Sequence, residues 1–187
     1  MEKINKAIKF ATDAHNGKNR KGTNVPYILH PLEAAAIAAS ITEDEDVISA
    51  AILHDTVEDT DATIEDIERE FGAHVAELVA HESENKREEL PDADTWEIRK
   101  QETIEHFKNG ATFESKIVML GDKLSNMRAI YRDELKLGDK LWEKFNMKDK
   151  SRHEWYYRSL SEILEPDFKD FPAYQEYQEL IEKVFGK

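Results

Sequence analysis

Ile117-Val118-Met119-Leu120-Gly121-Asp122-Lys123-Leu124-Ser125-Asn126-Met127-Arg128-Ala129-Ile130-Tyr131 carries two messages in one stretch. Ile117, Leu120, Leu124, Met127 and Tyr131 recur at spacings of three, four, three and four, the period of a helix that turns one apolar face to a core. Asp122, Asn126 and Ala129 fall on the neighbouring stripe of the same helix. An acid set among apolar residues needs a partner, because a buried carboxylate left unpaired is strongly destabilising. A salt bridge to a distant arginine or a metal ion would answer that need. Lys123, next along the helix, is expected to point elsewhere.

Working outward, the same recurrence runs through almost the whole chain and strand-like alternation is scarce, so the expected fold is all-α. Ile4, Ala7, Ile8, Ala11 and Ala14 predict a first helix over 2–15, stopped at Asn16-Gly17. Lys18 to Pro26 reads as a loop and is the most basic short stretch of the sequence. Pro31 fits the first turn of a second helix that runs to about Ser40, which places His30 at a helix start. Thr42-Glu43-Asp44-Glu45 caps a third helix that continues through Val47 to Leu53. Thr63-Ile64-Glu65-Asp66 opens a short helix closed by Gly72. The charged residues 82–102, with Pro91, read as a loop leading into a helix begun near Thr95 and ended by Gly110. Beyond residue 131, two or three amphipathic helices are expected, broken by Gly138 and by Pro166 to Pro172. Trp142, Phe145 and Trp155-Tyr156-Tyr157 are expected to fill the core of those helices, with an aromatic platform over a ligand as the alternative.

Composition narrows the function. Among 187 residues, 40 acidic against 26 basic side chains give a net charge of −14, the wrong sign for a surface that neutralises nucleic-acid phosphates. An anionic ligand would have to find a local basic pocket. There is no cysteine, which excludes disulfides, thiolate metal sites and cysteine nucleophiles. The longest apolar run is Ala34 to Ala39, far short of the ~20 residues of a membrane helix, so neither a membrane nor a nucleic-acid partner is expected and the cytoplasm is the default location.

Chemistry gathers at Ala51-Ile52-Leu53-His54-Asp55-Thr56-Val57-Glu58-Asp59-Thr60, where an apolar helix turns abruptly into titratable groups. On a continuous helix His54 would lie over Glu58 and Asp55 over Asp59, two adjacent columns able to converge on one ion. An imidazole beside a carboxylate, with two more carboxylates a turn away, suits a divalent cation such as Mn²⁺, Zn²⁺, Mg²⁺ or Fe²⁺. A simple helix-end cap is the competing reading. His30 and Asp122 are candidate further ligands. The remaining histidines, His15, His74, His81, His106 and His153, are assigned to surfaces or satisfied core positions.

One histidine, a later His-Asp doublet and a later lone Asp form the pattern of HD-domain metal-dependent phosphohydrolases, which the chain resembles. Arg20-Lys21, Pro26-Tyr27-Ile28-Leu29-His30-Pro31, Leu53 to Thr60, Phe71-Gly72 and Asp122 to Arg128 resemble, more closely, the hydrolase domain of the RelA/SpoT family, of the stand-alone small alarmone hydrolase type. The resemblance spans about residues 13 to 131. It implies an HD-domain helical bundle, a single hydrolase domain over 1–187 with residues 132–187 as a C-terminal helical extension. It further implies one divalent metal, Mn²⁺, held by His30, His54, Asp55 and Asp122. Glu58 and Asp59 would then position and deprotonate the attacking water, Arg20 and Lys21 would meet substrate phosphates, and Asn126 would contact the ribose. The implied reaction removes pyrophosphate from the ribose 3′ position of (p)ppGpp, a small phosphorylated nucleotide. Ala129 stands where family members commonly carry Thr, and His81-Glu82-Ser83-Glu84-Asn85-Lys86 replaces the family's Val-Thr stretch. These departures keep two alternatives open: an HD phosphohydrolase acting on a nucleoside monophosphate or a phosphorylated dinucleotide cofactor, and a non-catalytic alarmone-binding sensor.

Overall fold

Small residues on apolar helical stripes let helix backbones approach closely, and the computed structural model is an all-α protein built on such approaches. The structure describes residues 1–84, 87 and 89–186. Of the segment 81–86 singled out above, Asn85 and Lys86 lie outside the described residues. No strand forms among the described residues, and a lone antiparallel bridge joins Asn19 to Pro26. No helix among them is long and apolar enough to cross a membrane.

The chain divides into two units, Met1–Ser83 with Thr112–Ser125, and Glu84–Ala111 with Asn126–Lys187. In the first unit the helices are α1 (Glu2–Ala14), α2 (Leu29–Ala38), α3 (Glu45–Leu53), α4 (Thr56–Asp59), α5 (Ile64–Phe71) and α6 (Ala73–Glu82). Helix α7 (Asp92–Asn109) belongs to the second unit, and α8 (Phe113–Leu137) is one unbroken helix whose first half lies in the first unit and whose second half lies in the second. A 3₁₀ segment (Gly138–Lys144), α9 (Lys150–Phe168) and α10 (Pro172–Phe185) complete the chain.

Local chemistry explains the boundaries. Asp44 caps α3 by accepting from the Asp46 amide at 2.8 Å. Thr63 and Asp66 form a reciprocal capping box at the start of α5. Gly72 takes φ = 95° between α5 and α6, a left-handed conformation that a side chain would strain. In the first unit α3 packs against α1, α2 and α6, with Ala7, Ala11, Ala34, Ala38, Ala50 and Ala51 all fully buried. In the second unit α9 packs against α7 and α10, and Trp142 stacks near His153 and Phe185 at centroid distances of 4.9 and 5.8 Å. Of the terminal aromatics expected in the core, Trp142, Tyr156 and Tyr157 are buried, whereas Phe145 and Trp155 are half-buried.

One boundary differs from the sequence reading. Helix α7 starts at Asp92, directly behind Pro91, because an extended proline (φ = −60°, ψ = 134°) serves as its entry residue. The break expected at Pro166 to Pro172 falls at residues 169–171, between α9 and α10, and Pro166 itself sits in the last turn of α9, where its missing N–H forfeits one bond.

One contact sets the position of α8. A Cβ added at Gly121 would lie 2.6 Å from the backbone oxygen of Ala34 on α2. We expect Gly121→Ala to force the two helices apart and to cost about 1–3 kcal/mol of stability. Thermal unfolding followed by circular dichroism checks this, and a melting temperature equal to that of the parent would show that α2 and α8 tolerate separation.

Candidate metal centre and active site

Each member of the site comes from a different local device. His30 lies in the first turn of α2, at its buried start, followed by Pro31. Asp122 lies on α8 immediately after Gly121. His54 and Asp55 follow the last turn of α3, where the chain departs from the continuous helix expected from the sequence. Asp55 has φ = −92° and ψ = −4°, the Thr56 hydroxyl donates to the Leu53 carbonyl at 2.6 Å, and α4 begins afresh. Consecutive residues on a straight helix diverge by about 100°. The turn removes that divergence, so His54 Nε2 and Asp55 Oδ2 lie 3.2 Å apart. Asp59 stays one turn from Asp55, its amide donating to the Asp55 carbonyl at 2.9 Å, and the same turn separates α3 from the α4 that carries Glu58.

The expected ligands converge. His30 Nε2 is 3.1 Å from Asp122 Oδ1 and 3.3 Å from Asp55 Oδ2. His54 Nε2 is 3.2 Å from Asp55 Oδ2 and 3.6 Å from Asp122 Oδ1. Ligand atoms of His30, His54 and Asp122 all lie within 4.8 Å of one another, and the three residues are buried. Donor atoms ~2.1 Å from an ion are ~3.0 Å apart at right angles and ~3.4 Å apart at tetrahedral angles, so these edges have the size of a divalent-ion coordination shell.

Proton placement fits a cation as well. A backbone carbonyl only accepts, so the His54 Nδ1 that lies 2.9 Å from the Ala51 oxygen carries a hydrogen, and Nε2 is the nitrogen turned towards Asp55 and Asp122. That Nε2 is buried and has no well-formed hydrogen bond among the described residues. Burial opposes charge on His54, but Asp55 and Asp122 outweigh it and draw the imidazole well above its usual range. Burial likewise works against the Asp55 carboxylate, yet the His54 and His30 rings hold it well below the usual range. For Asp122, burial is overcome first by Lys123 and then by the two histidines. The protein alone thus holds two ionised carboxylates facing two imidazoles, a donor set suited to a divalent cation.

The sequence reading missed several neighbours. Lys123 does not point elsewhere: its flexible stem folds back so that Nζ donates to Asp122 Oδ2. Tyr27, three residues before His30, donates its hydroxyl to Asp55 Oδ2 at 2.6 Å, and burial together with Asp55 and Asp59 raises the phenol so that it keeps its proton. The Arg20 guanidinium lies 5.5 Å from the centre of the Tyr27 ring, which brings the expected substrate contact to the edge of the centre. Lys21 is exposed on the same loop, and Asn126 is half-buried one turn beyond Asp122 on α8. Glu58 and Asp59 are half-buried. His15 is neither a surface residue nor a satisfied one: it is buried against the Tyr27 ring at 4.8 Å, and both its nitrogens lack hydrogen bonds among the described residues. Burial lowers its pKa against the pull of Asp55 and Asp59. Its place at the end of the α1 stripe gave the only sequence signal, an apolar-face position occupied by a polar ring.

A model of the HD domain matches residues 7–142. The chain belongs to the HD-domain family. This HD-domain protein is 40% identical over 128 residues to the zebrafish guanosine-3′,5′-bis(diphosphate) 3′-pyrophosphohydrolase MESH1, a match covering 67% of each chain. It is 35% identical over 135 residues to the Escherichia coli bifunctional (p)ppGpp synthase/hydrolase SpoT, a match covering 70% of this chain and 18% of that one. Among solved structures it is similar to a metazoan ortholog of SpoT described as hydrolysing ppGpp, with a TM-score of 0.75, 26% identity and coverage of 98% of this chain and 96% of that one. The structural likeness therefore extends into residues 132–187, for which the sequence offered no counterpart. The HD-domain protein is a hydrolase with a buried His/His/Asp group for a divalent metal.

Glu82, one of the departures at 81–86, is buried beside this centre: its side chain is 2% exposed and its Oε2 lies 3.9 Å from Lys123 Nζ. Burial pushes its carboxyl up to about 7. Between its ordinary value and 7 the folded state then binds the proton that the unfolded state has released, so stability falls as pH rises through that window. In metal-free protein, the stability of Glu82→Gln relative to the parent is expected to increase by on the order of 3 kcal/mol between pH 5 and pH 8. Urea unfolding at the two pH values measures it; a constant difference would mean that Glu82 titrates normally.

Proposed function

We propose that the chain is a metal-dependent guanosine-3′,5′-bis(diphosphate) 3′-pyrophosphohydrolase that releases pyrophosphate from (p)ppGpp. The observation that carries the reading is the 40% identity over 128 residues to a relative of that name, in a chain whose expected ligand side chains meet at 3.1–3.6 Å. His30, His54, Asp55 and Asp122 would hold the ion, and Mn²⁺ is the metal assigned. When bound, such an ion polarises a phosphoryl oxygen and makes water a nucleophile near neutral pH.

The chain's own residues supply the rest. Glu58 and Asp59, on the turn that follows Asp55, take the proton of the attacking water and orient its lone pair towards phosphorus. The bond between the phosphorus and the ribose 3′ oxygen breaks, that oxygen leaves with a proton, and GDP or GTP remains. No covalent intermediate with the protein is needed. The substrate is strongly anionic and the chain carries −14, so local cations must receive it; Arg20 and Lys21 on the basic loop take the phosphates, and Asn126 takes the ribose. The same reading takes residues 1–187 as one hydrolase domain acting on a small phosphorylated nucleotide in the cytoplasm, with neither nucleic acid nor membrane as a partner.

Incubation of Mn²⁺-loaded protein with ppGpp, followed by anion-exchange chromatography, is expected to yield GDP and pyrophosphate. Intact ppGpp in the presence of bound metal would transfer the reading to another phosphorylated nucleotide. Glu58→Gln is expected to keep Mn²⁺ and ppGpp binding while turnover falls by roughly 10²–10⁴, the usual contribution of a general base. Asp122→Ala is expected to lose the metal itself.

A further inference from the structure

Behind His30 stands a hydrogen-bonded pair that neither the sequence pattern nor the family likeness assigns to the site. His30 Nδ1 lies 2.9 Å from Ser125 Oγ, and Ser125 Oγ donates at 2.8 Å to Glu33 Oε2. The direction of each bond follows from counting hydrogens. A serine hydroxyl has one proton to give, and here it goes to a carboxylate that only accepts. Ser125 Oγ must therefore accept from His30, so Nδ1 carries a ring hydrogen and Nε2 is the nitrogen turned towards Asp55 and Asp122.

The spacing is reciprocal. On α2, His30 is followed three residues later by Glu33; on α8, Asp122 is followed three residues later by Ser125. Residues three apart lie on one helical face. Helix α8 thus grips both nitrogens of His30, with Asp122 on one and Ser125 on the other, and α2 returns a carboxylate to the serine. Ser125 is 1% exposed, so water does not compete for its single proton.

We propose that Ser125 and Glu33 are positioning residues for the metal centre: they hold His30 in the Nε2-ligating tautomer and orientation, with Glu33 acting only through Ser125. The proposal rests on the reading of His30 as a metal ligand. Removing outer partners of ligating histidines typically weakens metal binding by roughly 10- to 100-fold.

The test uses Mn²⁺ alone, titrated into metal-free full-length protein and followed by the electron paramagnetic resonance signal of the free ion. Ser125→Ala is expected to bind Mn²⁺ roughly 10- to 100-fold more weakly. Its helix content and metal-free melting temperature should stay near those of the parent, because alanine suits a helix and removes only one atom. Glu33→Gln, whose amide oxygen still accepts from Ser125, is expected to lose less than Glu33→Ala. The double variant Ser125→Ala/Glu33→Ala should bind no worse than Ser125→Ala alone, since a residue acting only through Ser125 has nothing left to act on. Affinity of Ser125→Ala within twofold of the parent would overturn the proposal, and so would additive losses in the double variant. The titration contains no nucleotide, so failure of the protein to cleave ppGpp would leave this readout intact and distinguishable.

Discussion

The approach of α8 to α2 at Gly121 is the constraint on which the centre depends. The absence of a side chain there lets the helix pass within a distance of the Ala34 carbonyl that a Cβ could not share. Asp122 is the next residue, so the contact that brings the helices together also fixes where its carboxylate stands. The reach of a carboxylate is short, and an Asp on a helix set back by the width of a methyl group would not lie 3.1 Å from His30 Nε2. A packing detail is in this way a functional one, and the alanines of α2 and α3 extend the same logic to the other half of the site.

Burial and ionisation then pull against each other, and geometry decides the outcome. Two carboxylates with two imidazoles in a buried pocket would be an expensive arrangement if any member lacked a partner. Each instead has one: the Ala51 carbonyl for His54, Ser125 for His30, the Tyr27 hydroxyl for Asp55 and Lys123 for Asp122. These four groups also determine direction. They occupy the atoms that face away from the centre, or share an oxygen with it, and leave both Nε2 atoms pointing inward. The chain thus fixes both Nδ1 hydrogens before any ion arrives.

Much of this was legible in the sequence, and the rest was hidden for identifiable reasons. The three- and four-residue recurrence gave the all-α class and the span of α8, because helical period is a local property. The residues of the candidate centre could be picked out because their types and order form a pattern, whereas the continuous helix expected through Glu58 is interrupted between Leu53 and Thr56. A turn at Asp55 depends on the Thr56 side chain and on tertiary packing, neither of which has a periodic signature. Lys123 was misplaced because a flexible four-carbon stem can return to its own neighbour, which spacing on a helix does not reveal. Tyr27, Glu33 and Ser125 each lie three residues from a ligand, but only the fold shows which ligand each serves: Ser125, close in sequence to Asp122, serves His30 on a different helix.

Tyr27 shows how the two chemistries of the proposed reaction meet. A strongly acidic chain must attract an anionic substrate at one place and a cation at another a few ångströms away, and opposite demands so close together would interfere if they shared groups freely. Here one aromatic side chain stands between them. Its hydroxyl donates to the Asp55 oxygen that faces both histidines, and its ring lies under the Arg20 guanidinium. The ring gives Arg20 an apolar, weakly negative surface that holds the cation without neutralising it. The hydroxyl gives Asp55 a neutral donor that orients the carboxylate without removing its charge. Arg20 and Asp55 are thus both held by the same residue. The interposed tyrosine therefore lies between the basic loop and the acidic centre, with its ring towards Arg20 and its hydroxyl towards Asp55.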